Sequence, residues 1–133
     1  MTKRVTELST TQKTELSEIF GEYINLDKRE LHYYSHDIGA LPPLLKKVMG
    51  NTDPAAVVKI QTEKDAVELL KFANLNKIPV VPRAGASSGY GGVIPTKGGI
   101  VADVTLLNKI ISIDPDGQKV VVQSGIIWEK LER

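Results

Sequence analysis

The chain has 133 residues, 41% of them hydrophobic and 25% charged, with a formal net charge of +1 and no cysteine. This size carries one domain with its own core, and the composition excludes collagen-like, disordered and disulfide-framework classes as well as thiolate metal or redox sites. A charge so near zero supplies no global pull toward nucleic acid or an anionic membrane, so any anion site has to be built locally.

The N-terminal stretch MTKRVTELSTTQKTELSEIF lacks the continuous apolar centre of a signal peptide. No other run reaches the roughly 20 apolar residues of a membrane span, and a cytoplasmic protein is expected. Within that stretch the spacing predicts a helix from Ser9 to Phe20, with Leu16, Ile19 and Phe20 on one face and Gly21 as its end. Glu7, Glu15 and Glu18 with Lys13 read as its solvated side. The segment DKRELHYYSHDIGALPPLLKKVMGN has no clear period and predicts an irregular connector with a helical turn at Leu44 to Met49. His32 and His36 stand four apart, a spacing that could place two metal ligands on one helical face. Gly39 and Pro42 argue against a long helix there and no third ligand is evident, so no metal is predicted. Tyr33 and Tyr34 read as packing residues.

After Pro54, AAVVKI predicts a buried strand, and Thr62 an N-cap followed by Glu63 and Asp65 in the first turn of a helix, where the helix dipole favours negative charge. That helix should run to about Asn76 with Ala66, Val67, Leu70 and Ala73 as its apolar stripe. IPVV follows as a second strand, so strand, helix and strand form a βαβ unit with parallel strands and a right-handed crossover. GGIVADV predicts a third strand and TLLNK a short turn. IISID and KVVVQSG predict a hairpin closed by a type I turn at DPDG, Asp114 to Gly117. IIWEKLER begins a helical pattern, with Ile127 and Leu131 one helical step apart and Trp128 expected to cover the sheet. With no cap or breaker after Arg133, the chain reads as cut inside a helix and as part of a larger protein.

The segment VVPRAGASSGYGGVIP leaves the carboxyl end of the second strand, the usual ligand edge of open α/β sheets. From Ala84 to Ile100 it contains Gly85, Gly89, Gly91, Gly92, Gly98 and Gly99, with Ser87 and Ser88 between them and no carboxylate. Such a loop can turn successive N–H groups into a concave nest, and with two hydroxyls and the flanking Arg83 and Lys97 it suits a phosphate or diphosphate. The competing reading is a glycine-rich surface turn without a ligand. Two familiar phosphate loops do not fit. A Walker loop needs lysine followed by Ser or Thr and a helix, but Lys97 precedes Gly98, Gly99 and a strand. A Rossmann loop opens a helix, whereas this one runs through Pro95 into a strand.

The run IPVVPRAGASSGYGGVIPTKGGIVADVTLLNKIISIDPDGQKVVVQSGIIW resembles the first half of the FAD-binding domain of FAD-linked oxidases, the superfamily of p-cresol methylhydroxylase and vanillyl-alcohol oxidase. Within it the sequence is most similar to the glycolate oxidase flavoprotein subunit and D-lactate dehydrogenase group. The resemblance also takes in Tyr34, Ser35, His36 and Asp37, a Tyr-Ser-x-Asp element. It implies an α/β (α+β) fold: a small parallel βαβ sheet with flanking helices and a following hairpin. Residues 1–53 would be a helical and irregular lead-in, and residues 54–133 the first part of the FAD domain.

The family loop P-R-G-G-G-T-S-x-x-G-G, whose amides hold the FAD diphosphate, corresponds to Pro82, Arg83, Ala84, Gly85, Ala86, Ser87, Ser88, Gly89, Gly91 and Gly92, with Tyr90 between the last three. Ala84 and Ala86 replace glycines, Ser87 replaces threonine, and Gly89 stands where leucine is common. Both alanines are expected at negative φ. Some relatives attach FAD through a histidine in this loop; Ser87 stands at that position, which implies non-covalent FAD. The resemblance implies oxidation of a 2-hydroxy acid such as glycolate or D-lactate, with electrons passed to a separate acceptor, an iron–sulfur protein or domain among those implied. Catalytic side chains would lie beyond Arg133, so the fragment is expected to have no turnover and weak FAD affinity alone. Two other readings stay open: a different flavoprotein, such as a UDP-sugar enolpyruvyl reductase or the flavin subunit of a molybdenum hydroxylase, and a non-enzymatic binding module.

Overall fold

A computed structural model describes residues 4–39 and 42–132. Helix α1, Thr10–Phe20, begins where the Ser9 hydroxyl accepts the Gln12 amide and the Gln12 side chain accepts the Ser9 amide, a reciprocal cap that satisfies two otherwise orphaned donors. It ends at Gly21, whose φ of 54° is left-handed. Leu16 and Phe20 are buried. Ile19 was expected beside them and is 43% exposed, because consecutive helical residues point about 100° apart and Ile19 falls at the edge of the stripe that Leu16 and Phe20 define.

Two short elements follow that periodicity did not predict. Strand β1, Ile24–Asn25, is only two residues long, and helix α2, Lys28–Tyr33, has a single buried residue, Leu31. The α2 start rests on Asp27, whose carboxylate accepts the amides of Arg29 and Glu30. Helix α3, Pro43–Met49, contains the turn expected at Leu44 to Met49 and leaves Leu44, Leu45 and Val48 exposed.

Strand β2, Ala56–Lys59, leads into α4, Glu63–Leu75, which opens with a second reciprocal cap between Thr62 and Asp65. Its inward face differs from the expected stripe. Leu69, Phe72 and Ala73 are buried and Ala66 packs against the core, while Val67 and Leu70 are 48% and 56% exposed. Both stripes have helical spacing. The one containing Phe72 removes more apolar surface from water, and that term decides the rotation of the helix.

Strands β3, Val80–Arg83, and β4, Ile100–Asp103, complete a sheet of order β1-β2-β4-β3. The strands flanking α4 are parallel as expected, but β4 lies between them, pairing in parallel with both. β1 joins the outer edge of β2 antiparallel, so the sheet is mixed. All four β4 residues are buried, as in a central strand covered on both faces. Side chains alternate across the sheet. Val58, Ile100 and Ala102 share one core with Leu16, Phe20, Leu69 and Phe72, while Val57 and Val101 pack with Leu31 and Tyr34 on the other side.

The hairpin of β5, Ile110–Asp114, and β6, Lys119–Val122, forms where predicted, and the Gly117 amide donates to Asp114 in its turn. Trp128 does not cover the sheet: it is 79% exposed. It immediately precedes α5, Glu129–Glu132, a four-residue helix with no buried residue and thus no apolar face to hold the indole down. Among the described residues no helix is long and apolar enough to cross a membrane.

Candidate cofactor site

The loop begins at the carboxyl ends of β3 and β4, where Arg83 stands in register with Asp103. Both are buried, 6% and 5% exposed, yet no ion pair joins them. Instead an Arg83 Nη1 proton goes to the His36 carbonyl at 2.6 Å, and the guanidinium carbon lies 5.6 and 5.2 Å from the ring centroids of Tyr33 and Tyr34. The aromatic faces offset part of what the charge loses on leaving water. Tyr34 donates to Asp103 Oδ2 at 2.7 Å, and Asp103 Oδ1 accepts the Thr105 amide at 2.9 Å and hydroxyl at 2.6 Å. Burial, and then the bond to Asp103, raise the Tyr34 hydroxyl far above the ordinary phenol range. It stays protonated and serves as a donor.

Asp37 reaches the loop from the other side. It is 7% exposed, and its two oxygens accept the Gly91 amide at 2.7 Å and the Gly39 amide at 2.9 Å. The Gly91 amide is the main reason the carboxyl sits below the ordinary carboxylate range; burial opposes it, and the Gly39 amide, Asp37's own amide and the charge of Arg83 reinforce it. Gly39 packs so closely on Gly89 that a Cβ there would collide with the Gly89 carbonyl.

Several expected site features are rearranged. Lys97 does not flank the anion loop. Because β3 and β4 are parallel, the connection between them must travel the length of the strands, and Lys97 ends up beside Pro79 and Val80 at the opposite edge of the sheet. Gly98 and Gly99 belong to that far end too, pressed against the carbonyls of Val5 and Pro79. Ala86 has φ 53°, not the negative value expected of an alanine, whereas Ala84 is outside the left-handed region. Ala86 thus takes a conformation glycine would adopt more easily, as Gly89, φ 70°, and Gly91, φ 79°, do further along the same loop. His32 Nδ1 lies 2.9 Å from Asp53 and His36 Nδ1 lies 3.2 Å from Ser35, with the two rings 5.9 Å apart. Tyr34 packs in the core and Tyr33 meets it edge-on at 5.3 Å. Sequence reasoning assigned no role to Asp37, Gly39, Asp103 or Thr105. The available signals were the Tyr-Ser-x-Asp element for Asp37 and, for Asp103, a lone acid closing an apolar strand.

What remains is the stretch from Gly85 to Ser88. Among the described residues none of its four amides, nor the hydroxyls of Ser87 and Ser88, makes a hydrogen bond. Gly85 and Gly92 have no atom within 4 Å of where a Cβ would stand, and neither has a left-handed φ. Neither the fold nor the backbone conformation demands glycine at these two positions. Unpaired amides with open space beside Gly85 and Gly92, on a loop without carboxylates, are chemically suited to the diphosphate of a dinucleotide.

The family described as "FAD binding domain" matches residues 54–133. The chain belongs to that family. The chain is 28% identical over 113 residues to D-lactate dehydrogenase of Anaerostipes hadrus, covering 85% of this chain and 21% of that protein. It is 38% identical over 84 residues to "D-lactate dehydrogenase [cytochrome], mitochondrial" of Kluyveromyces lactis, covering 61% of this chain and 15% of that protein. Among solved structures, p-cresol methylhydroxylase with substrate bound shares the fold, with a TM-score of 0.75 and 22% identity over 94% of this chain and 24% of that one. The chain thus spans about a fifth or less of the length of these curated relatives. Its cofactor is FAD.

Proposed function

We propose that this FAD domain is part of an FAD-dependent oxidoreductase acting on a 2-hydroxy acid such as glycolate or D-lactate, and that residues 82–92 hold the FAD diphosphate. The observation that supports the reading is the combination at Gly85–Ser88 and Gly92: amides without protein acceptors, and two glycines that neither a neighbouring atom nor a positive φ explains. D-lactate dehydrogenase relatives support the substrate class. Pro82 and Arg83 fix the stem of the loop. Ala84, Gly85, Ala86, Ser87 and Ser88 line its diphosphate side, and Gly89, Gly91 and Gly92 set its return. Bound FAD supplies the redox chemistry, taking a hydride equivalent from the substrate's α-carbon. An iron–sulfur protein or domain is the acceptor we assign to the next step, and catalytic side chains are assigned to sequence beyond Arg133. FAD is held non-covalently, because Ser87 occupies the position of the attaching histidine.

The test uses the full-length protein that contains this chain. Acid precipitation should release flavin into the supernatant, and anaerobic addition of D-lactate or glycolate should bleach the visible flavin band. Gly85→Val should weaken FAD binding while sparing riboflavin, which has no diphosphate. A colourless protein, flavin retained in the pellet, or no bleaching by any 2-hydroxy acid would each overturn the corresponding part of the reading.

A further inference from the structure

Residues 34–39 lie outside the matched segment 54–133, yet they touch the loop at three places. The His36 carbonyl takes an Arg83 proton at the loop's stem, the Asp37 carboxylate takes the Gly91 amide at its return, and Gly39 seats the Gly89 carbonyl between them. The Gly39 amide closes the arrangement on the second Asp37 oxygen. One oxygen of the buried carboxylate therefore ties the loop to this segment, while the other anchors the carboxylate on its own segment.

We propose that Asp37 is a positioning residue for FAD, pinning Gly91 and Gly39 so that the amides of Gly85 to Ser88 stay open toward the diphosphate. The inference rests on the reading of residues 82–92 as the diphosphate loop. A glycine-rich loop left free would lose much conformational freedom on closing around a ligand. Fixing it beforehand removes that loss from the binding step. The carboxylate takes the Gly91 amide for itself and leaves the other four unpaired, so its action reaches the ligand only through the backbone. Its negative charge would repel a diphosphate, and the buried Arg83 guanidinium, which stabilises the Asp37 carboxylate, offsets that repulsion.

The experiment compares FAD and riboflavin affinities by calorimetry in full-length protein stripped of flavin. Asp37→Asn keeps the shape but turns one acceptor into a donor, so one of the two amides faces an N–H group. The FAD dissociation constant should rise roughly ten-fold, the scale of one charge-assisted hydrogen bond, with riboflavin unchanged; Asp37→Glu should recover part of the loss. If Asp37→Asn binds FAD as well or better while Gly85→Val weakens it, the loop reading survives and this inference falls. Equal losses for FAD and riboflavin would mark a general structural role and also overturn it. If neither variant alters FAD affinity, the loop reading fails and takes the inference with it. Should Asp37→Asn not fold, amide exchange in the wild type decides. Gly91 and Gly39 should be protected without FAD, and residues 85–88 only with it; Gly91 exchanging freely until FAD is added would refute the proposal.

Discussion

Ala86→Gly should stabilise the FAD domain, although alanine to glycine in a loop ordinarily does the reverse. Ala86 sits at φ 53°, where the Cβ of an L-residue crowds the following carbonyl. That conformation costs about 1–2 kcal/mol, which glycine does not incur. Glycine in turn loses more freedom on folding, by roughly 0.5–1 kcal/mol. The difference favours glycine by about 0.5–1 kcal/mol, or a rise of about 2–4 °C in Tm for a domain of this size. Thermal unfolding followed by circular dichroism reads it directly. Gly85→Ala is the paired control: its φ is outside the left-handed region and a Cβ there meets nothing within 4 Å. It should also raise stability, by about 0.4–1 kcal/mol through the unfolded chain, but at the expense of FAD affinity. A lower Tm for Ala86→Gly would refute the left-handed assignment, and unchanged FAD binding in Gly85→Ala would refute the idea that a ligand keeps that space clear.

Three further outcomes are expected. The folded-state titration of Asp37 lies below its unfolded value of ~3.9, so its carboxylate stabilises the fold above that pH and the contribution is lost as pH falls through the lowered folded value. Below pH ~4 the Tm of the wild type should therefore fall more steeply than that of Asp37→Asn; parallel Tm–pH curves would contradict this. Tyr34→Phe removes the only described donor to Asp103 Oδ2 and should destabilise by about 1–3 kcal/mol in urea unfolding, with m unchanged. The isolated chain of 133 residues should emerge from gel filtration without flavin at micromolar concentrations, and yellow fractions would overturn the view that the remaining walls of the site lie elsewhere.

How much was legible in the sequence follows the range of the interaction concerned. The Thr62 cap, the βαβ order and the Asp114–Gly117 turn each depend on neighbours a few positions apart, and all appear where expected. The α4 stripe failed because two stripes share its period, and only the sheet beneath selects Leu69 and Phe72. Lys97 failed for a topological reason: nothing in the chain announces that β4 runs parallel to β3, yet that direction sends the far half of the glycine-rich segment to the opposite edge. The Asp37 contact spans 54 positions between two irregular polar segments, where no periodicity exists to be read. The glycines sort in the same way. Gly39, Gly98 and Gly99 are small because another backbone presses on them, and Gly89 and Gly91 because φ is positive; only after those structural causes are removed do Gly85 and Gly92 stand out as positions where neither a neighbouring atom nor a positive φ accounts for the missing side chain. Composition alone weighted all of these glycines equally, so the diphosphate reading proposed above rests on fewer residues than the pattern suggested.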